Sequence, residues 1–122
     1  MEWKIIIHDV DGYAEVITSG VADRDGSLNM AEAIAKSMRS RRITRVCIDH
    51  RNIEDVAGGA FDIYERPKIW RLIGVILRIK IAEVIKPVHW DHFHFFETVC
   101  RNRGYQLSIF QTKDEALAWL LA

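Results

Sequence analysis

The sequence predicts an α/β fold: a single domain over residues 1–122, ordered ββαβαβαβα, with a mostly parallel sheet of about five strands flanked by helices. Three observations predict it. Short β-branched apolar runs alternate with stretches whose apolar residues recur at helical spacing. Turn or capping chemistry separates nearly every pair of such runs. The first two strand-like runs are joined by only four residues, whereas the later ones are each separated by a helix, which calls for right-handed parallel crossovers. A chain of 122 residues buries roughly two thirds of its unfolded surface and needs no disulfide or metal to hold it.

Trp3 to His8 reads as a strand through its isoleucines, Asp9-Val10-Asp11-Gly12 as a turn, and Tyr13 to Ser19 as the returning strand of a hairpin. Asp23 to Ser27 is a polar loop. A helix follows, with Asn29 and Glu32 at capping-box spacing and Met30, Ala33, Ile34, Ser37 and Met38 on one face. Ile43 to Asp49 is a compact apolar run, as expected of a buried strand. Beyond Gly58-Gly59, the residues Phe61, Tyr64, Lys68, Ile69 and Leu72 keep helical spacing, with Pro67 kinking or restarting that helix. Arg78 to Ile85 reads as a strand ended by Lys86-Pro87. Trp90 to Arg103 reads as a helix stopped by Gly104, and Tyr105 to Phe110 as the last strand. Thr112-Lys113-Asp114-Glu115 is a capping box that opens a short helix with Ala116, Trp119 and Leu120 inward.

Seventeen basic and seventeen acidic residues cancel, so no net field favours nucleic acid or an anionic membrane. The most apolar stretch, Ile69 to Ile85, contains Arg71, Arg78, Lys80 and Glu83. Each such charge costs ~2.5–3.5 kcal/mol at a bilayer centre, so the stretch is not a transmembrane segment. Cys47 and Cys100 lie inside apolar runs, as buried thiols of a reducing compartment do. With a start that lacks a basic-then-apolar leader, this predicts a cytoplasmic protein.

The C-terminal third carries a family likeness. Phe95-Phe96-Glu97-Thr98-Val99-Cys100-Arg101-Asn102-Arg103-Gly104, then Ile109-Phe110, then Glu115-Ala116-Leu117-Ala118-Trp119-Leu120 resembles the SpoIIAA-like group of STAS-type domains, whose element order also matches. The resemblance implies a bacterial, non-enzymatic, regulatory or carrier role. Its relatives include anti-anti-sigma regulators that dock a partner kinase, and small domains likened to Sec14 lipid carriers. The regulators carry an Asp-x-Ser-Gly turn after the third strand whose serine is phosphorylated. The matching stretch here is Asp49-His50-Arg51-Asn52, with Arg51 where that serine would stand, so the phospho-switch is not carried over.

Ligands of open α/β sheets bind beyond the carboxyl ends of the strands, near a point where strand order reverses. That edge would gather Asp49, His50 and Arg51 with Lys86-Pro87-Val88-His89, and Ser19, Asp23 and Arg24 beside them. Asp49, His50, Arg51 and His89 are the ligand-binding candidates, for an anion or for acid–base work. The plainer alternative is that Asp49 caps a turn and Arg51 pairs with a carboxylate. Tyr64, Trp70 and Phe95 are the apolar contacts for a partner or an apolar ligand, since Gly58 to Leu77 holds more apolar surface than one helix face needs. That excess would otherwise serve a homodimer. His89, His92 and His94 invite a metal reading, but at 100° per residue His94 falls roughly 160° round the helix from His92, and no metal or other cofactor is expected. The expected role is binding a protein partner or a small apolar or anionic ligand. The rival is a small hydrolase or metal-dependent enzyme using Asp49, His50 and the His89/His92/His94 group. It requires His50 within hydrogen-bond reach, directly or through water, of another catalytic group or a metal in a concave site.

Overall fold

The computed structural model describes residues 1–58 and 79–122. The strands are β1 (Glu2–His8), β2 (Tyr13–Ala22), β3 (Arg45–Val56), β4 (Lys80–Val84) and β5 (Gln106–Phe110). The described helices are α1 (Arg24–Arg41), α2 (Trp90–Asn102, preceded by a 3₁₀ turn over Pro87–His89) and α3 (Lys113–Leu120). The five strands form one sheet in the order β1-β2-β3-β4-β5. Among the described strands, only β1 and β2 are antiparallel; the remaining pairs are parallel.

The hairpin forms as predicted. His8 C=O accepts from Gly12 N–H at 2.8 Å, and Gly12 takes φ 73°, the left-handed region that glycine enters without strain. β1 and β2 then pair in register from Glu2↔Ser19 to His8↔Tyr13.

α1 begins five residues earlier than Asn29. The Asp23 side chain accepts from Gly26 N–H at 2.6 Å, so the polar loop expected over 23–27 is the helix's cap and first turn. Its buried face is Met30, Ala31, Ile34, Ala35 and Met38, shifted from the expected Ala33 and Ser37. The predicted stop of α2 and the predicted start of α3 match. Gly104 takes φ 83° while Tyr105 N–H bonds Cys100 C=O at 3.1 Å. Thr112 caps α3, accepting from Glu115 N–H and donating to the Glu115 carboxylate.

Side chains alternate across the strands, so each strand feeds two cores. On one face Ala14, Val16, Val46, Ile48, Ile81 and Leu107 pack against α1 and α2 through Ile34, Met38, Phe93 and Phe96. On the other, Tyr13, Cys47, Ala82 and Val84 pack against Ala116 and Leu120 of α3. Trp119 is only half-buried: its ring lies 5.7 Å from Phe110 and beneath the Lys80 ammonium.

The largest departure from the sequence reading is in β3. It was expected to end at Asp49 and instead runs to Val56. Its pairing with β2 steps from Ile17↔Asp49 to Ser19↔Asn52 and from Gly20↔Ile53 to Val21↔Asp55. Each step fits one extra β3 residue into the ladder, a bulge that bends the strand and flips the facing of the residues beyond it.

Candidate functional site

Because Asp49-His50-Arg51-Asn52 lies within β3, alternation separates the predicted cluster. Asp49 and Arg51 share the α3 face, and His50 points to the α1/α2 face. The strand order also runs in sequence, so among the described strands there is no reversal to make a crevice. These two facts correct the expectation of one strand-end site combining carboxylate, imidazole and guanidinium.

His50 instead sits in a buried polar chain. Its Nδ1 is 2.7 Å from Thr18 Oγ1 on β2, and its Nε2 is 2.6 Å from Glu83 Oε2 on β4. Thr18 Oγ1 also lies 3.2 Å from the Asp49 carbonyl oxygen, to which it can donate. The imidazole stacks on Phe93 of α2 at 4.9 Å. Glu83 as a carboxylate can only accept, which fixes a proton on Nε2. A neutral ring then accepts the Thr18 hydroxyl at Nδ1. A charged ring donates to Thr18, whose own proton goes to Asp49 C=O. The chain closes in both states. Within the described residues, Glu83 Oε1 has no hydrogen-bond partner.

The condition set for an enzyme is thus met in part only. His50 reaches a hydroxyl and a carboxylate, while Thr18 is 0% exposed and His50 4%, so neither lines an open concave surface among the described residues. Neither Thr18 nor Glu83 was singled out from sequence. The signal present was a threonine and a glutamate inside strands otherwise rich in apolar residues, where an unpaired polar group would cost several kcal/mol at roughly 2–7 each.

On the α3 face, cations and carboxylates cancel in pairs. The Arg51 backbone N–H and Nε reach Asp49 Oδ1 at 3.0 and 2.9 Å, and an Nη reaches Oδ2 at 2.8 Å. The plainer reading of Arg51 is the observed one, and the carboxylate it pairs with is Asp49 itself. Burial raises the Asp49 carboxyl, but the Arg51 bonds and charge outweigh it and hold Asp49 below its ordinary value. Glu15, buried beside them, is taken by Lys113 and by His8 at 2.8 Å; burial raises its carboxyl, and these two partners bring it below the usual range. His8 in turn stacks on Tyr13 at 4.5 Å.

Cys47 lies between these pairs at the sheet centre. Burial, with Glu15 and Asp49 adding to it, pushes its thiol up to about 12. Ellman's reagent should therefore leave Cys47 unmodified in the folded protein and react with it fully in denaturant. Rapid labelling without denaturant would contradict the central position of β3.

The remaining candidates are dispersed. His89 stands in the 3₁₀ turn with its imidazole lowered, first by burial and then by Lys86. His92 meets Phe93 edge-on, and His94 points outward 3.5 Å from Glu97. Among the described residues, no three His, Cys, Asp or Glu side chains converge as metal ligands. Phe95, an apolar-contact candidate, is 41% exposed, whereas Phe93 and Phe96 of the same helix are buried. Tyr64, Trp70, the Pro67 break and all of Gly58–Leu77 beyond Gly58 itself lie outside the described residues.

No protein-family model and no curated protein matches the sequence. Solved structures do match in fold. An anti-sigma factor antagonist from Mycobacterium paratuberculosis superposes with TM-score 0.62 at 17% identity, over 99% of this chain and 96% of that one. A protein of the DUF3478 family with a SpoIIAA-like fold, from Shewanella loihica, gives TM-score 0.57 at 16% identity, over 98% and 92%. The anti-sigma factor antagonist SpoIIAA in its unphosphorylated form gives 0.53 at 12%, over 97% and 96%. This chain has a SpoIIAA-like STAS fold.

Within that fold the hydrophobic motif of the C-terminal third is packing and capping chemistry. Phe96, Val99 and Cys100 are buried, and Arg101 and Glu97 bond the outer edge of β5. Ala116 and Leu120 fill the α3 core. Those residues identify the SpoIIAA-like architecture and leave its surface chemistry to other positions. No described helix is long and apolar enough to cross a membrane.

Proposed function

We propose that this SpoIIAA-like domain is a regulatory module of the bacterial cytoplasm that works by binding a protein partner, without catalysis and without a Ser/Thr phospho-switch. The observation that carries the reading is that the polar groups of the candidate site are already matched within the chain: Arg51 is paired with Asp49, Lys113 with Glu15, and His50 is hydrogen-bonded to Glu83. An anionic ligand would have to displace these carboxylates, and a substrate would have to reach a buried hydroxyl. Protein recognition needs neither, because rim ion pairs and an apolar anchor such as Phe95 suffice to fix a partner. Two of the fold's structural neighbours are anti-sigma factor antagonists, which act on protein partners. No serine or threonine occurs between Thr44 and Thr98, so the chain beyond the start of the third strand offers no aliphatic hydroxyl for phosphorylation until α2.

Native mass spectrometry of protein purified without detergent tests the reading. The expected spectrum shows the unliganded chain, and incubation with ATP and a cognate kinase adds no phosphate to any peptide within residues 45–97. A retained lipid-like mass would overturn the reading in favour of an apolar carrier, and would direct attention to Tyr64 and Trp70.

A further inference from the structure

The two edges of the sheet are treated differently. At the β5 edge, side chains of α2 occupy the outward backbone groups. Arg101 Nε donates to Leu107 C=O at 3.0 Å, and Glu97 Oε2 accepts from Ile109 N–H at 2.8 Å. Arg101 also holds Ser108 Oγ at 2.6 Å. A further strand cannot add there without stripping both bonds. At the opposite edge, β1 pairs only with β2 among the described residues, and no described side chain bonds its outer backbone. β1 is seven residues long, Glu-Trp-Lys-Ile-Ile-Ile-His, with no proline, and it pairs with β2 through an unbroken register. Such an edge is a template for strand addition unless something covers it.

We propose that two copies of this chain join along β1, antiparallel about Ile5, to make one continuous sheet. The side chains of β1 select both the occupant and the register. Trp3, Ile5 and Ile7 are half-buried against the α1/α2 core, while Glu2 and Lys4 are exposed. A two-fold axis at Ile5 sets Trp3 of one copy opposite Ile7 of the other and Ile5 opposite Ile5. The apolar row thus continues across the seam with aromatic and β-branched pairs. On the other face the same axis sets Glu2 opposite His8, a carboxylate against an imidazole 33% exposed at its side chain, and Lys4 opposite Ile6. Centring on Lys4 would bring two ammonium groups face to face, and centring on Ile6 would set Lys4 against His8 and leave Trp3 unpaired. An odd-numbered slip would oppose the apolar row to the charged one. Centring on Trp3 or on Ile7 also keeps the apolar row together but pairs only three residues of β1, whereas the Ile5 register pairs all seven and is self-complementary, as a two-fold interface must be.

Self-association of the full chain followed by sedimentation velocity from about 1 to 100 μM, a range in which a moderate dimer of Kd ~10 μM would show, tests the proposal together with two variants. The wild type should shift from monomer to dimer with concentration. Ile5→Cys should form a disulfide-linked dimer under mild oxidant much faster than Val10→Cys, a control at the fully exposed hairpin tip. The native thiols do not compete, because Cys47 and Cys100 are both buried. Ile5→Lys, with its fold checked by circular dichroism, should weaken association at least about tenfold, since it puts like charges directly opposite. A wild type that stays monomeric throughout overturns the proposal. So does a dimer in which Ile5→Cys cross-links no faster than Val10→Cys. If Ile5→Lys does not fold, the cross-linking comparison decides alone. Failure here leaves the partner-binding reading standing, because its anchor, Phe95, is on α2 rather than β1.

Discussion

Replacing His50 with alanine should lower the unfolding free energy by about 3–5 kcal/mol, the usual loss when a buried carboxylate is left without its partner. Truncation leaves Glu83 with neither oxygen bonded to a described partner, in a side chain about as buried as the apolar core around it. Thr18 contributes less to the loss, since its hydroxyl still reaches Asp49 C=O. The double variant His50→Leu/Glu83→Met removes both polar groups and should recover most of the stability, because a well-packed apolar pair matches or exceeds a buried ionic one. Urea unfolding at neutral pH, extrapolated linearly, measures all three proteins. A single-variant loss below about 1 kcal/mol, the size of an exposed pair, would mean that the chain is not closed as described.

Phe93→Ala should cost a comparable ~3–5 kcal/mol, for a different reason. Phe93 is the α2 residue that lies against His50 and packs into the larger core. Removing it opens a cavity over a polar chain and lets water reach the imidazole. The two losses should therefore not add: once Phe93 is gone, His50 and Glu83 can be solvated, and deleting His50 costs less. A double-mutant cycle reads this as a coupling of about 0.5–3 kcal/mol. Strict additivity would place Phe93 and His50 in independent surroundings, against the 4.9 Å stacking.

Much of the fold was legible because local chemistry and global placement agree. The Asp9–Gly12 turn, the Gly104 stop and the Thr112 capping box each act within a few residues, and each appears where the sequence puts it. Two local readings failed for identifiable reasons. Asp23 to Ser27 looks like a loop because aspartate, glycine and serine favour turns, yet the same aspartate is among the best helix caps. Asp49 to Asn52 looks like a strand end because it is polar. It remains in the sheet since Asp49 and Arg51 satisfy one another and two bulges accommodate the additional residues.

The buried chain was not legible as a unit. Thr18 and His50 are 32 residues apart, and His50 and Glu83 are 33; only the register of three adjacent strands brings them together. The pointer in the sequence was Glu83 itself. Read as a charge that rules out a membrane span, it equally demands a buried partner once its segment is a central strand.

The order in which the strands lie side by side has a consequence for how the chain finds its shape. Each described strand is laid against the described strand before it, so none of these pairings has to wait for a distant segment to return across the sheet. The hairpin can form on its own as the first template. The closure entropy at each later step is that of a single crossover, which grows only slowly with loop length. Parallel sheets are slow to fold when their neighbours are remote in sequence; this one can grow in one direction, from the N-terminal hairpin outward, as the chain is synthesised.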